Sequence, residues 1–524
     1  MRLLSALIVL MLFVPGILTA PLWDAGSGTN GTNIPSGQGV FSFTPIVIDG
    51  NNDLENQAAA RGWNGSGTSG SPYVIEDLVI ETSSEYGVQI KNIDLYVVFM
   101  NCSFVSAAIS GFYIESSENI VFLNISSVSR DDIFTFWRCT KIELENIDIR
   151  TNSVYTWAMV NYCDNITLVN SSLYGYIRIY QSEDILLDNI TEKGYRSQAV
   201  YFRYSTRLTI RNSVFETTLI INARDSSGIL ITNNIMNGSR RSEFSNCHGI
   251  EIVGNMNSSG SPYGFSFDYC SDLAIRDNDL HGDRGTIILT GTSNVEMFNN
   301  TLGSNGLVLT GTVSVLGSLI IPANNTINGD PILFMKDGDI TPMQDNPVHS
   351  QIILLNMTGF SLKDRQYDWN PCPLQVHYSS DIYLEGLTIS NASLGFSAYY
   401  SSGITIDNCN FEYTRMTTIH IEHSDGISIR NSVMRHGSPD SVLWMKGCSQ
   451  FELSSTVMDL DYCRDALYIA SSQSGILRDL EIMTDYGSVY METCNEIRFD
   501  RCSMKEYFEV EMYGCSDVFI RDSE

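Results

Sequence analysis

The chain has 524 residues, more than one small core needs, so either several domains or one extended repeat is expected. Its 60 acidic residues against 31 basic ones give a formal charge of −29, leaving no basic excess to neutralise nucleic-acid phosphates. Only 17% of residues are charged and 43% are apolar, too hydrophobic for wholesale disorder, and the 40 glycines follow no period of three, which excludes collagen.

Met1 and Arg2 precede an apolar run from Leu3 to Leu18 that ends in Thr19-Ala20. This is the layout of a secretory signal peptide and is short for a membrane span. Residues 1–20 are read as that signal and the protein as secreted or displayed at the cell surface. Pro21, directly after the small pair, keeps a retained N-terminal anchor as the alternative, and a membrane is a partner only in that case. Thirteen Asn-x-Ser/Thr sequons suit an exported, glycosylated surface, although a chain rich in Asn, Ser and Thr produces such triplets by chance. Residues 21–40 are a Gly/Ser/Thr/Asn-rich linker. Within 41–72, NNDLENQAAARG predicts a short capping helix with Asn52 or Asp53 at its N-cap and Gly62 as terminator, covering the apolar end of a first coil. Asp49, Asn51, Asp53 and Glu55 alternate like part of a calcium loop, but the glycine such a loop needs is missing. No cofactor is expected, and calcium is the one ion suggested.

From residue 73 onward one pattern recurs. SSGITIDNCNF (from Ser401) matches STRLTIRNSVF (from Ser205), SSGILITNNIM (from Ser226) and CNEIRFDRCSM (from Cys494). With Ile404 as the anchor, equivalent anchors run from Tyr73 to Val295 and from Phe360 to Val518, nineteen in all, at intervals of 19 to 24 residues apart from one gap of 65. Such a period means a solenoid. Two residues after every anchor the side chain is apolar, and four after it stands Asn in ten turns and Asp in five. The first column reads as strand; the second marks a tight corner, because Asn and Asp tolerate a left-handed backbone. A second strand carries inward residues eight and six before the anchor, such as Phe112/Ile114 and Ile419/Ile421. The expected fold is all-β: a single-stranded parallel solenoid of turns of about 22 residues, divided into 73–304, an irregular segment 305–358 with a projecting loop from Lys336 to Ser350, and 359–524. Stacked strands would extend on the order of 100 Å. The second half has no polar cap at Glu524; a truncated reading frame is the favoured expectation there, with another chain stacking end to end as the alternative. Seven cysteines (139, 163, 247, 270, 448, 494 and 515) share the column three before the anchor. Buried thiols are the favoured reading there, with disulfides between successive turns as the alternative.

These repeats resemble the right-handed parallel β-helix proteins, including NosD-like and carbohydrate-associated members and archaeal secreted versions; NNTINGDPILF (from Asn324) is similar to a NosD-like segment. The resemblance implies that functional groups stand on the outward face of the strand before each anchor, as in pectin-degrading relatives. The catalytic motifs of those enzymes are absent: Asp131-Asp132 is the only Asp pair, and His281-Gly282-Asp283 and His436-Gly437-Ser438 match nothing usable.

Outward residues, seven and five before the anchor, form two clusters. Tyr113, Trp137, Arg178, Tyr180, Tyr201, Arg203 and Arg224, with Tyr176 beside them, are read as a carbohydrate-binding face, because aromatic rings stack on sugars and guanidinium groups pair with carboxylate or sulfate. The bland alternative is an ordinary sheet surface. The second cluster is His377, Tyr399, His420, Glu422, Trp444, Lys446, Tyr468, Tyr490, Glu492, Glu511 and Tyr513. In a lyase His420 or Lys446 would act as base, Tyr399 as proton donor, and a cation or Lys446, one turn beyond Glu422, as the neutraliser of the uronate. A surface Glu422–Lys446 ion pair is the bland alternative. The leading expectation is a secreted or surface β-helix protein that binds a polysaccharide or glycan surface, or serves as scaffold, with no nucleic-acid partner. A lyase or related depolymerase of acidic glycans comes second, and a NosD-like metal-delivery accessory third.

Overall fold

The computed structural model describes residues 44–107, 109–129, 132–151, 157–193, 198–216, 219–238, 240–257, 264–280, 287–304, 306–338, 349–368, 372–436, 441–460, 463–484, 487–504 and 508–523. The signal segment, the linker, Asp131, His281 to Asp283, Gly437-Ser438 and most of the projecting loop lie outside these residues.

The fold is an all-β parallel solenoid of about 18 turns. Every anchor column pairs in register: Tyr73 with Val97, then Ile120 and Ile142, and in the second half Ile382 with Ile404, Ile427 and Phe451. Apart from Tyr73 at the first anchor and Val510, Met512, Val518 and Ile520 on the last turn, the inward residues of both strands are buried. All nineteen residues four after an anchor have positive φ, as a stacked corner requires. The corner side chains bond along the axis, Asn124 Nδ2 to Asn101 Oδ1 at 3.0 Å and Asn146 Nδ2 to Asn124 Oδ1 at 3.1 Å. One residue further on, Asn234, Asn255, Asn278, Asn300 and Asn325 form an interior ladder whose amides also satisfy strand carbonyls.

A third strand per turn was not expected. In the second half it forms a 7-stranded sheet that includes Thr388–Ser390, Asn410–Thr414 and Val457–Leu460. The cysteines are free thiols, all buried except the half-buried Cys515. Cys139 Sγ donates to Ile114 O (3.3 Å) as Ser182 Oγ in the same column donates to Val160 O (3.2 Å), so a thiol substitutes for a hydroxyl there.

The capping helix is Asn51–Arg61, ending at left-handed Gly62. Its N-cap is Gly50, not Asn52 or Asp53. Asp53 instead lies in the first turn and reaches back to accept the Asp49 N–H at 3.0 Å. Asp49 and Asn51 are held by Asn92 and Asp94, so the sequence resembling a calcium loop is spent on fixing the cap.

Gly475 occupies an anchor position because the Phe451 ring of the preceding turn fills the space; a Cβ at 475 would overlap that ring. Gly475→Ile, although it restores the usual anchor residue, is expected to destabilise by about 1–3 kcal/mol. Adding Phe451→Ile is expected to recover most of that loss, and urea unfolding of the two variants checks it.

The two halves do not stack end on end. The strands Asp330–Lys336 and Gln351–Leu355 begin a new coil, and their outward residues close the first half: Ile353 and Leu355 join the same core as Leu307 and Leu309. Two glutamines complete the joint. Gln351 Oε1 accepts the Leu307 N–H (3.1 Å) while its Nε2 donates to Leu307 O (2.8 Å), and Gln375 Oε1 accepts the Leu309 N–H (3.1 Å). The Tyr378 hydroxyl donates to Gly311 O (3.0 Å) and Lys336 Nζ to Gly317 O (2.8 Å).

Candidate functional site

In the first half the strands Trp157–Asn161, Tyr176–Tyr180 and Gln198–Arg203 run parallel and in register, so their outward residues align. Trp137, Tyr162, Tyr180 and Tyr204 form a chain of rings with centroids 4.9, 5.8 and 5.7 Å apart, the last two contacts edge to face. Arg178 lies over Trp157 and Tyr180 (5.5 and 5.8 Å), and Arg203 over Tyr204 at 4.6 Å while donating to its hydroxyl at 2.8 Å. The guanidinium groups and neighbouring ring edges thus take up the faces that were expected to stack on sugars. Tyr113 lies apart, against Tyr86 and bonded to Glu115. Tyr176 is buried at 5% exposure with its ring on Trp157, so it is packing and not surface. Tyr201 is half-buried, and Arg224 is exposed and donates to Asn222 Oδ1 (3.1 Å). Trp157, Tyr162 and Tyr204 escaped the sequence reading. The two tyrosines sit at left-handed corners, and their signal was an aromatic residue in a corner column.

The second half is different. His377, Tyr399, His420, Trp444, Tyr468, Tyr490 and Tyr513 make one unbroken ladder over seven successive turns, with centroids 5.1, 5.5, 4.2, 5.4, 5.2 and 5.5 Å apart. Strand register sets this spacing: His420 pairs with Trp444, Trp444 with Tyr468, Tyr468 with Tyr490. Four of the six contacts are stacked, the Tyr468 and Tyr490 planes differing by only 2°. Ring faces therefore cover one another, and what the ladder offers a ligand is a ridge of ring edges and hydroxyls.

Beside the ladder, His420 Nε2 and Glu422 Oε1 are 2.9 Å apart. That hydrogen bond holds the Glu422 carboxyl below the usual glutamate range, and Lys446 adds to the effect only at longer range. The expected Glu422–Lys446 pair is thus replaced by an in-strand His420–Glu422 pair. Tyr399, half-buried, has its phenol pushed up chiefly by burial. His377 is not on the surface at all: it is 1% exposed in the joint, beyond Tyr399. A cavity of about 450 Å³ opens against Tyr468 and Tyr490, lined also by Arg464, Asp465, Ser488, Glu509 and Glu511. Its volume suits a small-ligand site. Asp465, buried, accepts from Ser441 (3.1 Å), Ser488 (3.0 Å) and Arg464 (3.0 Å). Arg464, Asp465 and Ser488 precede the outward columns, which is why those columns did not reveal them. Burial and Glu492 raise the phenols of Tyr468 and Tyr490. Among the described residues no group of three or more His, Cys, Asp or Glu is placed to hold a metal ion.

A family model described as a right-handed beta helix region matches residues 175–330 and 372–506. No curated protein matches the chain. Among solved structures, a PL6-family alginate lyase is 9% identical, covering 91% of this chain and 98% of its own at a TM-score of 0.28. A surface adhesin of Streptococcus pneumoniae is 10% identical (76% and 84% covered, TM-score 0.19). A mannuronan C-5 epimerase module of Azotobacter vinelandii is 11% identical (89% and 92% covered, TM-score 0.12). At such TM-scores none of the three carries an argument about this chain's site.

Proposed function

The chain belongs to the right-handed β-helix family, and on that premise we propose that it is a glycan-binding protein of the cell exterior whose binding surface is the aromatic ladder of its second half. The observation that carries this reading is the ladder itself, a ridge of ring edges repeating at 4.2 to 5.5 Å, close to the length of one pyranose unit. A polymer lying along the solenoid axis meets a similar group at each turn, and the cavity at Tyr468 and Tyr490 seats one of its units more deeply. The N-terminal apolar run and the sequons support export.

Charge selects the ligand class. Glu422, Asp465, Glu492, Glu509 and Glu511 surround the ridge, against Lys446 and Arg464. A polyuronate would be repelled there, and a neutral or amino-bearing glycan is favoured. Affinity electrophoresis against glucan, mannan, chitosan and polyuronate checks this. Retardation by neutral or amino polymers but not by polyuronate is expected. Indifference to all of them, or a preference for polyuronate, defeats the reading.

One observation favours a second reading, in which the protein cleaves the chain it binds. Glu422 orients His420, and a carboxylate-oriented imidazole is equipped to take a proton. Tyr399 lies on the next turn at 5.5 Å. Chain shortening by the native protein that His420→Ala abolishes would establish it.

A further inference from the structure

The outward face that carries the ladder does not start in solvent. Its first two turns are buried in the joint: Gln351, Ile353 and Leu355 on one strand, Gln375 and His377 on the next. Gln375 bonds both Leu307 and Leu309 of the first half, so the first half stands as a wall across the outward face. His377, on the wall side, stacks directly on Tyr399 at 5.1 Å and 7°. From Tyr399 to Tyr490 the ladder rings are half-buried, in contact with solvent. The His420 and Glu422 side chains are 20% and 26% exposed. A ligand that follows the ridge towards Tyr399 must stop there.

Polar groups stand at that closed end as well as around the cavity at Tyr468 and Tyr490. His420, Glu422 and Lys446 occupy two adjacent turns nearest the wall. An internal sugar unit presents one face to such a ridge. A terminal unit has an additional hydroxyl that loses water at the wall and needs a partner, which these three side chains supply.

We propose that the ladder receives the terminus of a glycan chain, its last unit over Tyr399, His420 and Glu422 and the following units running out over Trp444, Tyr468 and Tyr490. This rests on the ladder being the glycan site. It predicts a particular dependence on chain length. An end-binding site gives a Kd per mole of chains that improves until the fragment reaches Tyr490 and then stays constant. A side-binding site gives a Kd per mole of chains that keeps improving in proportion to length, because each longer chain offers more registers.

The test uses the full chain and size-fractionated fragments of malto-, manno- and chito-oligosaccharide series with their parent polymers, measured by calorimetry. Glu422→Gln is expected to weaken short and long fragments alike by about tenfold, as loss of one charge-assisted bond to the terminal unit does. Tyr490→Ala should weaken only those long enough to reach it. Borohydride reduction of the reducing end of one set, and periodate modification of the non-reducing end of a second, N-acetylated chito-oligosaccharide set whose internal units carry no vicinal diol, identify which terminus enters; loss of binding in either arm supports the proposal. Affinity per chain rising with length without limit, with neither end modification having an effect, overturns it while leaving glycan binding intact. Absence of binding to every series removes both.

Discussion

Replacing Trp444 by alanine is expected to weaken retention of a neutral glycan by about ten- to a hundredfold, the equivalent of roughly 1.5–3 kcal/mol of lost aromatic contact. The effect is larger than the loss of one ring's edge. Trp444 stands between His420 (4.2 Å) and Tyr468 (5.4 Å), so its removal frees both neighbours to tilt and uncouples the closed end of the ridge from the cavity. The pair His420–Glu422 loses the stack that fixes the imidazole plane. Trp444→Tyr keeps a stacking ring and should restore most of the affinity. Affinity electrophoresis of the two variants against the best-retained polymer checks this. Equal weakening by alanine and tyrosine would place the binding surface elsewhere.

Acidification is expected to cost the fold about 3 kcal/mol through one side chain, His377. Burial alone pushes its imidazole down to about 4 from the usual 6.5. Both ring nitrogens are buried without a hydrogen-bond partner, between Leu355 and Tyr399 in the register of the sheet. The unfolded chain takes up a proton near pH 6.5 and the folded one only near pH 4, so the unfolded state binds more protons between these values. Stability is complete above the higher value and falls as the pH drops towards the lower one. His377→Phe retains a flat ring against Tyr399 and removes the titrating group. It should be more stable than the native chain by about 1 kcal/mol at neutral pH, because two unsatisfied nitrogens disappear. Its urea midpoint should also fall less between neutral pH and about pH 4. Identical pH slopes for the two proteins would mean that the imidazole finds a proton acceptor on folding.

The sequence carried most of the solenoid and less of the site, for physical reasons. Anchors and inward pairs were legible because stacking forces each column to keep one chemical character. The third strand left a signal that went unread: Phe104, Ile149, Phe215, Ile389, Phe411 and Met458 all lie seven residues after an anchor and are buried. It was hidden because this strand follows the corner, where Asn and Asp draw attention away from the apolar residue beyond. The columns also gave the ladder residues Tyr399, His420, Trp444, Tyr468 and Tyr490. What they could not give was the joint. A column says that a side chain points outward, not what stands outside, and the first half stands over Gln375 and His377. Nor did spacing reveal that Tyr180 and Tyr204 would meet edge to face while Tyr468 and Tyr490 lie parallel, since ring orientation depends on neighbours on both adjacent turns.

The glutamine joint also bears on how such a chain changes length over evolution. Parallel sheets are normally extended by copying a turn, because the last strand offers its edge to the next. At Leu307–Thr310 that edge is answered by the amides of Gln351 and Gln375 instead of by a strand, so growth of the first half ends there without a polar cap. Whole turns beyond Tyr399 can be duplicated or deleted without disturbing the joint, and the length of the ridge changes with them. The two halves are in this sense separately heritable: one supplies a fixed abutment, the other a ruler of adjustable length.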